Sequence, residues 1–150
     1  MLHLPLLRRG RAYKSLDVVR APHQATGKPF VEISQANGGL IRRDLMSVEA
    51  MRASMAAIPT ARLIEMGREA AGIFLNDTLP VGDERQRPDD YVEQVSATTG
   101  MPFVMVRRNM QRLAAVMENL EAILRGLTRE SDLAFLDRGF GGSHGHAVSF

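Results

Sequence analysis

His144-Gly-His146 carries metal-ligand side chains at a spacing that could hold one face of a metal site. No third ligand is suggested, and the surrounding Gly139-Phe-Gly-Gly-Ser143 is too glycine-rich to fix a coordination geometry, so a solvated tail is the reading. Asp89-Asp90 could act as paired carboxylates, but Pro88 before them marks a helix start, where two acids simply face the helix's positive end. Arg107-Arg108 could dock a phosphate; an interhelical or solvated ion pair is the plainer role. Gly38-Gly39 and Gly139-Phe-Gly-Gly142 match neither a dinucleotide fingerprint nor a P-loop. His3 and His23 are isolated, and no Ser/His/Asp set can be assembled from spacing. With no Cys there is no thiolate nucleophile, no disulfide and no thiolate metal site. The catalytic, cofactor-binding and metal-site residues expected of this chain are therefore none.

Charge narrows the partners. The net charge is +2 with 19 basic residues, of which all but Lys14 and Lys28 are Arg, a residue suited to bidentate pairing. Arg8, Arg9 and Arg11 form one cluster and Arg42-Arg43 a second. Acids are spread between them and aromatics are only 5%, which disfavours nucleic acid as a partner. Nine Met and no Trp point to adaptable packing, in a core or at a partner surface. Met1-Leu-His-Leu-Pro-Leu-Leu7 has its Arg residues behind it, the reverse of a secretory signal, and no run nears the roughly 18 apolar residues of a span. A cytoplasmic protein with no membrane partner is expected.

One hundred and fifty residues fit a single domain. Residues 1–11 read as an N-terminal extension. Residues 12–21 and 30–36 read as two strands of an antiparallel hairpin joined by the turn cluster from Pro22 to Pro29, with Asn37-Gly-Gly39 as a tight turn ending it. Helices are expected from residue 44 to 138. Ser47 starts a short one closed by Pro59, and Thr60 caps another through Leu75 whose Gly67, Ala70, Ala71 and Gly72 ask for a closely packed neighbour. Residues 81–87 read as a polar linker, Pro88–Thr99 as a helix capped by Gly100, and 139–150 as a mobile tail.

From Phe103 the apolar residues Val106, Met110, Leu113, Met117, Leu120, Leu124 and Leu127 follow steps of three and four, a heptad seam that predicts one long helix over about 102–126. A seam of this length beside other amphipathic helices suits an intramolecular bundle better than a coiled-coil dimer.

Taken in order, Arg9-Gly-Arg-Ala-Tyr13, Pro22 with Thr26-Gly-Lys28, Phe30-Val-Glu-Ile-Ser34, Arg62-Leu-Ile-Glu-Met-Gly-Arg68 and Thr99-Gly-Met-Pro102 resemble the N-terminal region of the aldehyde dehydrogenase superfamily, in its acyl-CoA reductase-like branch. The resemblance spans most of residues 9–138 and rests on order and spacing. It departs at the last junction, where Thr98 and Met101 stand in place of the family's Glu and Lys. It implies NAD(P)-dependent oxidation of aldehydes or reduction of acyl-CoA, through a Cys thiolate assisted by Glu and Asn. All of these would lie outside this chain, which binds no cofactor alone on this reading. The expectation is an α+β, mainly α fold with an N-terminal hairpin and four to five helices. In function it is a non-catalytic, assembly-related portion of such an enzyme that self-associates or binds another chain. The competing expectation is a helical interaction module working through the seam or a Met-rich face.

Overall fold

The computed structural model describes residues 1–138, 140–141 and 147–148. Five short strands come first: Leu2–Leu4 (β1), Leu6–Arg8 (β2), Arg11–Tyr13 (β3), Val18–Pro22 (β4) and Pro29–Ser34 (β5). Gly38–Leu45 (α1), Val48–Ala56 (α2) and Thr60–Asn76 (α3) follow, then strands Leu79–Val81 (β6) and Glu84–Gln86 (β7). Pro88–Thr99 (α4), Phe103–Glu118 (α5), Leu120–Leu127 (α6) and Phe135–Arg138 (α7) complete the helices, and Phe140–Gly141 (β8) pairs with Ala147–Val148 (β9). The fold is α+β and mainly helical, as the sequence pattern predicts.

The expected hairpin forms between β4 and β5, with Val19 opposite Ile33 and Ala21 opposite Val31. The single strand expected over 12–21 is split, since Lys14–Asp17 bends between β3 and β4. Residues 1–11, read as an extension, supply strands of their own. β1 lies parallel to β5, so the sheet order is β1-β5-β4, while β2 and β3 form a separate hairpin. Strand alternation puts Leu2, Leu4, Ala21, Val31 and Ile33 on the face turned to α4, and His3, Arg20, Glu32 and Ser34 on the other.

Asn37-Gly38-Gly39 does not make the positive-φ turn expected of it. The Asn37 side chain caps α1 by accepting the Leu40 N–H at 2.9 Å, and the two glycines occupy the first helical turn. The polar linker expected over 81–87 is likewise largely a hairpin. Gly82, at φ 62°, opens a two-residue turn between β6 and β7, and a Cβ there would sit 2.4 Å from the His3 carbonyl oxygen of β1.

Local signals held for α4. Pro88 begins it, the Arg87 N–H donates to the Asp90 carboxylate at 2.8 Å, and Gly100 ends it at φ 73° with its N–H donated to Ser96. Val92 of α4, with Val106 and Met110 of α5, forms the buried cluster, and Phe74, Leu75, Tyr91 and Val95 pack around it. Phe74 and Tyr91 meet edge to face at 5.5 Å.

The small residues of α3 are explained by α5 and α6. A Cβ on Gly67 would fall 2.4 Å from a Leu120 methyl and 3.3 Å from the Met117 carbonyl oxygen. Ala71 and Ala114 are fully buried on the same two helices. The stretch predicted as one helix over 102–126 runs from Phe103 to Leu127 with a break at Asn119, whose side-chain amide donates to the Ala115 carbonyl at 2.7 Å.

The seam is only partly the buried face. Val106, Met110 and Ala114 are buried, Met117, Leu120 and Leu124 half-buried, but Leu113 is 44% exposed, and Phe103 and Leu127 are exposed as well. A straight helix advances 3.6 residues per turn, so a 3.5-residue pattern drifts off the contact line and Ala114 takes the place expected for Leu113.

Candidate functional site

Although no catalytic set is visible in the spacing, pairing β1 with β5 assembles one. His3 Nδ1 lies 3.0 Å from Glu32 Oε2, and His3 Nε2 lies 2.9 Å from Ser34 Oγ. Carboxylate, imidazole and hydroxyl in this order are the components of nucleophilic catalysis. Hydrogen bonding to His3, then to Arg20, whose Nε donates to Glu32 Oε1 at 3.1 Å, holds the Glu32 carboxyl below its ordinary range. The hydroxyl, however, is closed off. Ser34 is 2% exposed, and its Oγ accepts the Ser15 N–H at 3.0 Å. The constellation is a polar latch that satisfies a buried hydroxyl and fixes β1 against β5. Sequence reasoning missed it because the parts lie 29 and 31 residues apart; period-2 alternation in β5 was the signal that Glu32 and Ser34 share a face.

The opposite face of the sheet meets α4 across a cleft of about 330 Å³, lined by Leu2, Val31, Ile33, Tyr91 and Val95 with the Gln86–Gln94 side-chain pair at its edge. Its lining is mostly apolar, with Thr98, the Gln pair and the Tyr91 hydroxyl as its polar groups, which suits an apolar group.

The other candidates from sequence resolve into structure. Asp89 pairs with Arg107 of α5 at 2.8 Å, and Asp90 with Arg87, whose hydrogen bonds hold the Asp90 carboxyl below its usual range. Asp89-Asp90 therefore caps α4 and ties it to α5. His23 contacts Phe30 edge to face at 5.4 Å within the hairpin turn. His144 and His146 lie outside the described residues. Among the described residues no group of three or more His, Asp or Glu is placed to hold a metal, and no helix is long and apolar enough to cross a membrane.

What the surface does offer is unburied apolar area. Helices α1 and α2 bury no residue at all, and Ile41, Leu45, Met46, Met51 and Met55 stand exposed along them. Helix α5 adds Phe103, Val104, Leu113 and Val116, each exposed. Compared with protein-family models, with curated proteins and with solved structures, the chain matches none of them.

Proposed function

We propose that this chain is the non-catalytic N-terminal portion of an NAD(P)-dependent aldehyde dehydrogenase or acyl-CoA reductase-like protein, inert alone and built to pack against further protein. The order and spacing of the motifs from Arg9 to Pro102 support the family. The observation that carries the assembly role is the set of exposed apolar side chains on α1, α2 and α5. The family's reaction needs a thiolate, and this chain has no Cys, so its contribution is to fold, position and cover rather than to react.

A second reading, a helical interaction module, is favoured by the α1–α2 segment, whose exposed Met residues suit an adaptable contact. The coding sequence downstream of Phe150 separates the two. Continuation into a glycine-rich dinucleotide turn and a Cys-bearing domain is the expected result. A frame with neither overturns the dehydrogenase reading and leaves the module.

A further inference from the structure

The two Arg clusters, 30 residues apart in sequence, converge in the fold. The tight turn between β2 and β3 and the last turn of α1 enclose an open depression of about 660 Å³, walled by Arg9, Arg11, Arg43 and Tyr13 and by the Arg8–Asp44 pair. Asp44 is the one acid in that wall, and Arg8 engages it through both carboxylate oxygens, its Nε at 2.8 Å, while the Arg8 guanidinium lies 4.8 Å from the centre of the Tyr13 ring. Arg8 therefore cancels Asp44. Arg9, Arg11 and Arg43 make no ion pair among the described residues. The Arg8 hydrogen bond foremost, with the charges of Arg9 and Arg43 behind it, holds the Asp44 carboxyl below its ordinary range, so these cations share one field. Within that wall four Arg face a single acid, a local excess of positive charge. Arg9 also sits at φ 52°, a conformation that costs a non-glycine residue energy, and its guanidinium is held by the Ser47 hydroxyl.

We propose that this depression binds a small ligand carrying a diphosphate group. Three Arg without a carboxylate partner among the described residues line this one depression, and guanidinium N–H groups suit phosphate oxygens in a way that a single carboxylate cannot exhaust. A single carboxylate would balance only one of them. A nucleic-acid strand would need a longer positive surface with stacking aromatics, whereas Lys14, next to Tyr13, is matched by Asp83 and the wall holds one aromatic, Tyr13. The proposal stands whether or not the chain belongs to a dehydrogenase.

The test is calorimetric titration of the full chain with pyrophosphate at about 0.15 M salt, where weak surface attraction is screened, with inorganic phosphate, sulfate and a single-stranded oligonucleotide as comparisons. Saturable pyrophosphate binding is expected, tighter than phosphate or sulfate. It should weaken about tenfold or more in Arg11→Gln/Arg43→Gln, as loss of charged hydrogen bonds requires. Arg112→Gln on α5 should leave it unchanged. Circular dichroism checks the double variant's fold, and Arg43→Gln alone serves if that variant fails to fold. Absence of saturation, equal binding by the Arg43 variant and the parent chain, or an oligonucleotide that binds more tightly than pyrophosphate would each overturn the assignment.

Discussion

The α3–α5 pair and the α1–α2 segment draw on the same residues, Met and Ala with Arg and acids between them, yet only the first buries anything. Gly67 and Ala71 let α5 and α6 approach until a methyl group would no longer fit, and Met110 then closes over Val92 and Val106. Polar contacts join α3 to the helices after α5, with Arg68 paired to Glu121 of α6 at 2.7 Å and the Thr60 N–H and hydroxyl both donating to Asp137 of α7. The segment from Gly38 to Ala56 has no small-residue face opposite a neighbour, and its long-range ties are polar contacts from the β2–β3 hairpin, Arg8 to Asp44 and Arg9 to Ser47. Amphipathic order is thus common to both, and complementary shape distinguishes the helix that packs from the one left exposed.

The largest contrast is expected from matched truncations. Met110→Ala should cost about 2–5 kcal/mol in urea unfolding, whereas Met55→Ala on α2 should change stability by less than about 0.5 kcal/mol. Similar losses at the two sites would abolish the distinction. Leu113→Ala, on the exposed side of α5, should fall well short of Met110→Ala.

Next come two glycines of the same helix. Gly67→Leu should destabilise by about 1–3 kcal/mol because Leu120 and the Met117 backbone already occupy the space. Gly72→Ala meets nothing within 4 Å and should stabilise by about 0.5–1 kcal/mol through helix propensity. Thermal melts of the two variants should move in opposite directions.

Acid should loosen the packed region through its carboxylates. Glu121, held below its ordinary range by Arg125 and then Arg68, and Asp137, held low by Thr60, have folded pKa values under their unfolded ones. Their contribution is therefore complete above the unfolded carboxyl range near pH 4 and is lost as pH falls through the lower folded values. The melting temperature should drop over that window, and Glu121→Gln/Asp137→Asn should flatten the drop. An unchanged slope would remove these pairs from the account.

The smallest effect on stability, and the most direct test of the proposed association surface, is Met46→Ser/Met55→Ser. Hydrophobic-dye binding and concentration-dependent mass in sedimentation equilibrium should both fall while the unfolding midpoint stays put. A parent chain that is strictly monomeric at high concentration and binds no dye would rule out self-association.

How much could be read in advance follows the range of each interaction. Pro88, Asp90 and Gly100 act within one helical turn, so the limits of α4 were legible. The pairing of β4 with β5 was legible too, because alternation on both sides of a Pro/Gly turn leaves few registers. Asn37-Gly-Gly39 misled because Asn serves both a turn and a helix cap, and the following α1 decides between them. The heptad seam identified an amphipathic helix but not its buried line, since that line depends on which neighbour is near enough.

The sequence by itself determined the mainly helical α+β character, the caps of α4, the central hairpin and the lack of any thiolate. Each depends on backbone preference or composition within a few residues. Only the tertiary structure decided that β1 joins the sheet, that His3, Glu32 and Ser34 meet, that Leu113 is left outside while Ala114 is enclosed, and that Arg9 and Arg11 face Arg43 across one depression. Those outcomes join residues about 30 or more positions apart, or depend on how closely two helices can approach. No local preference carries that information, because strand pairing and packing are chosen by the whole chain burying its surface at once.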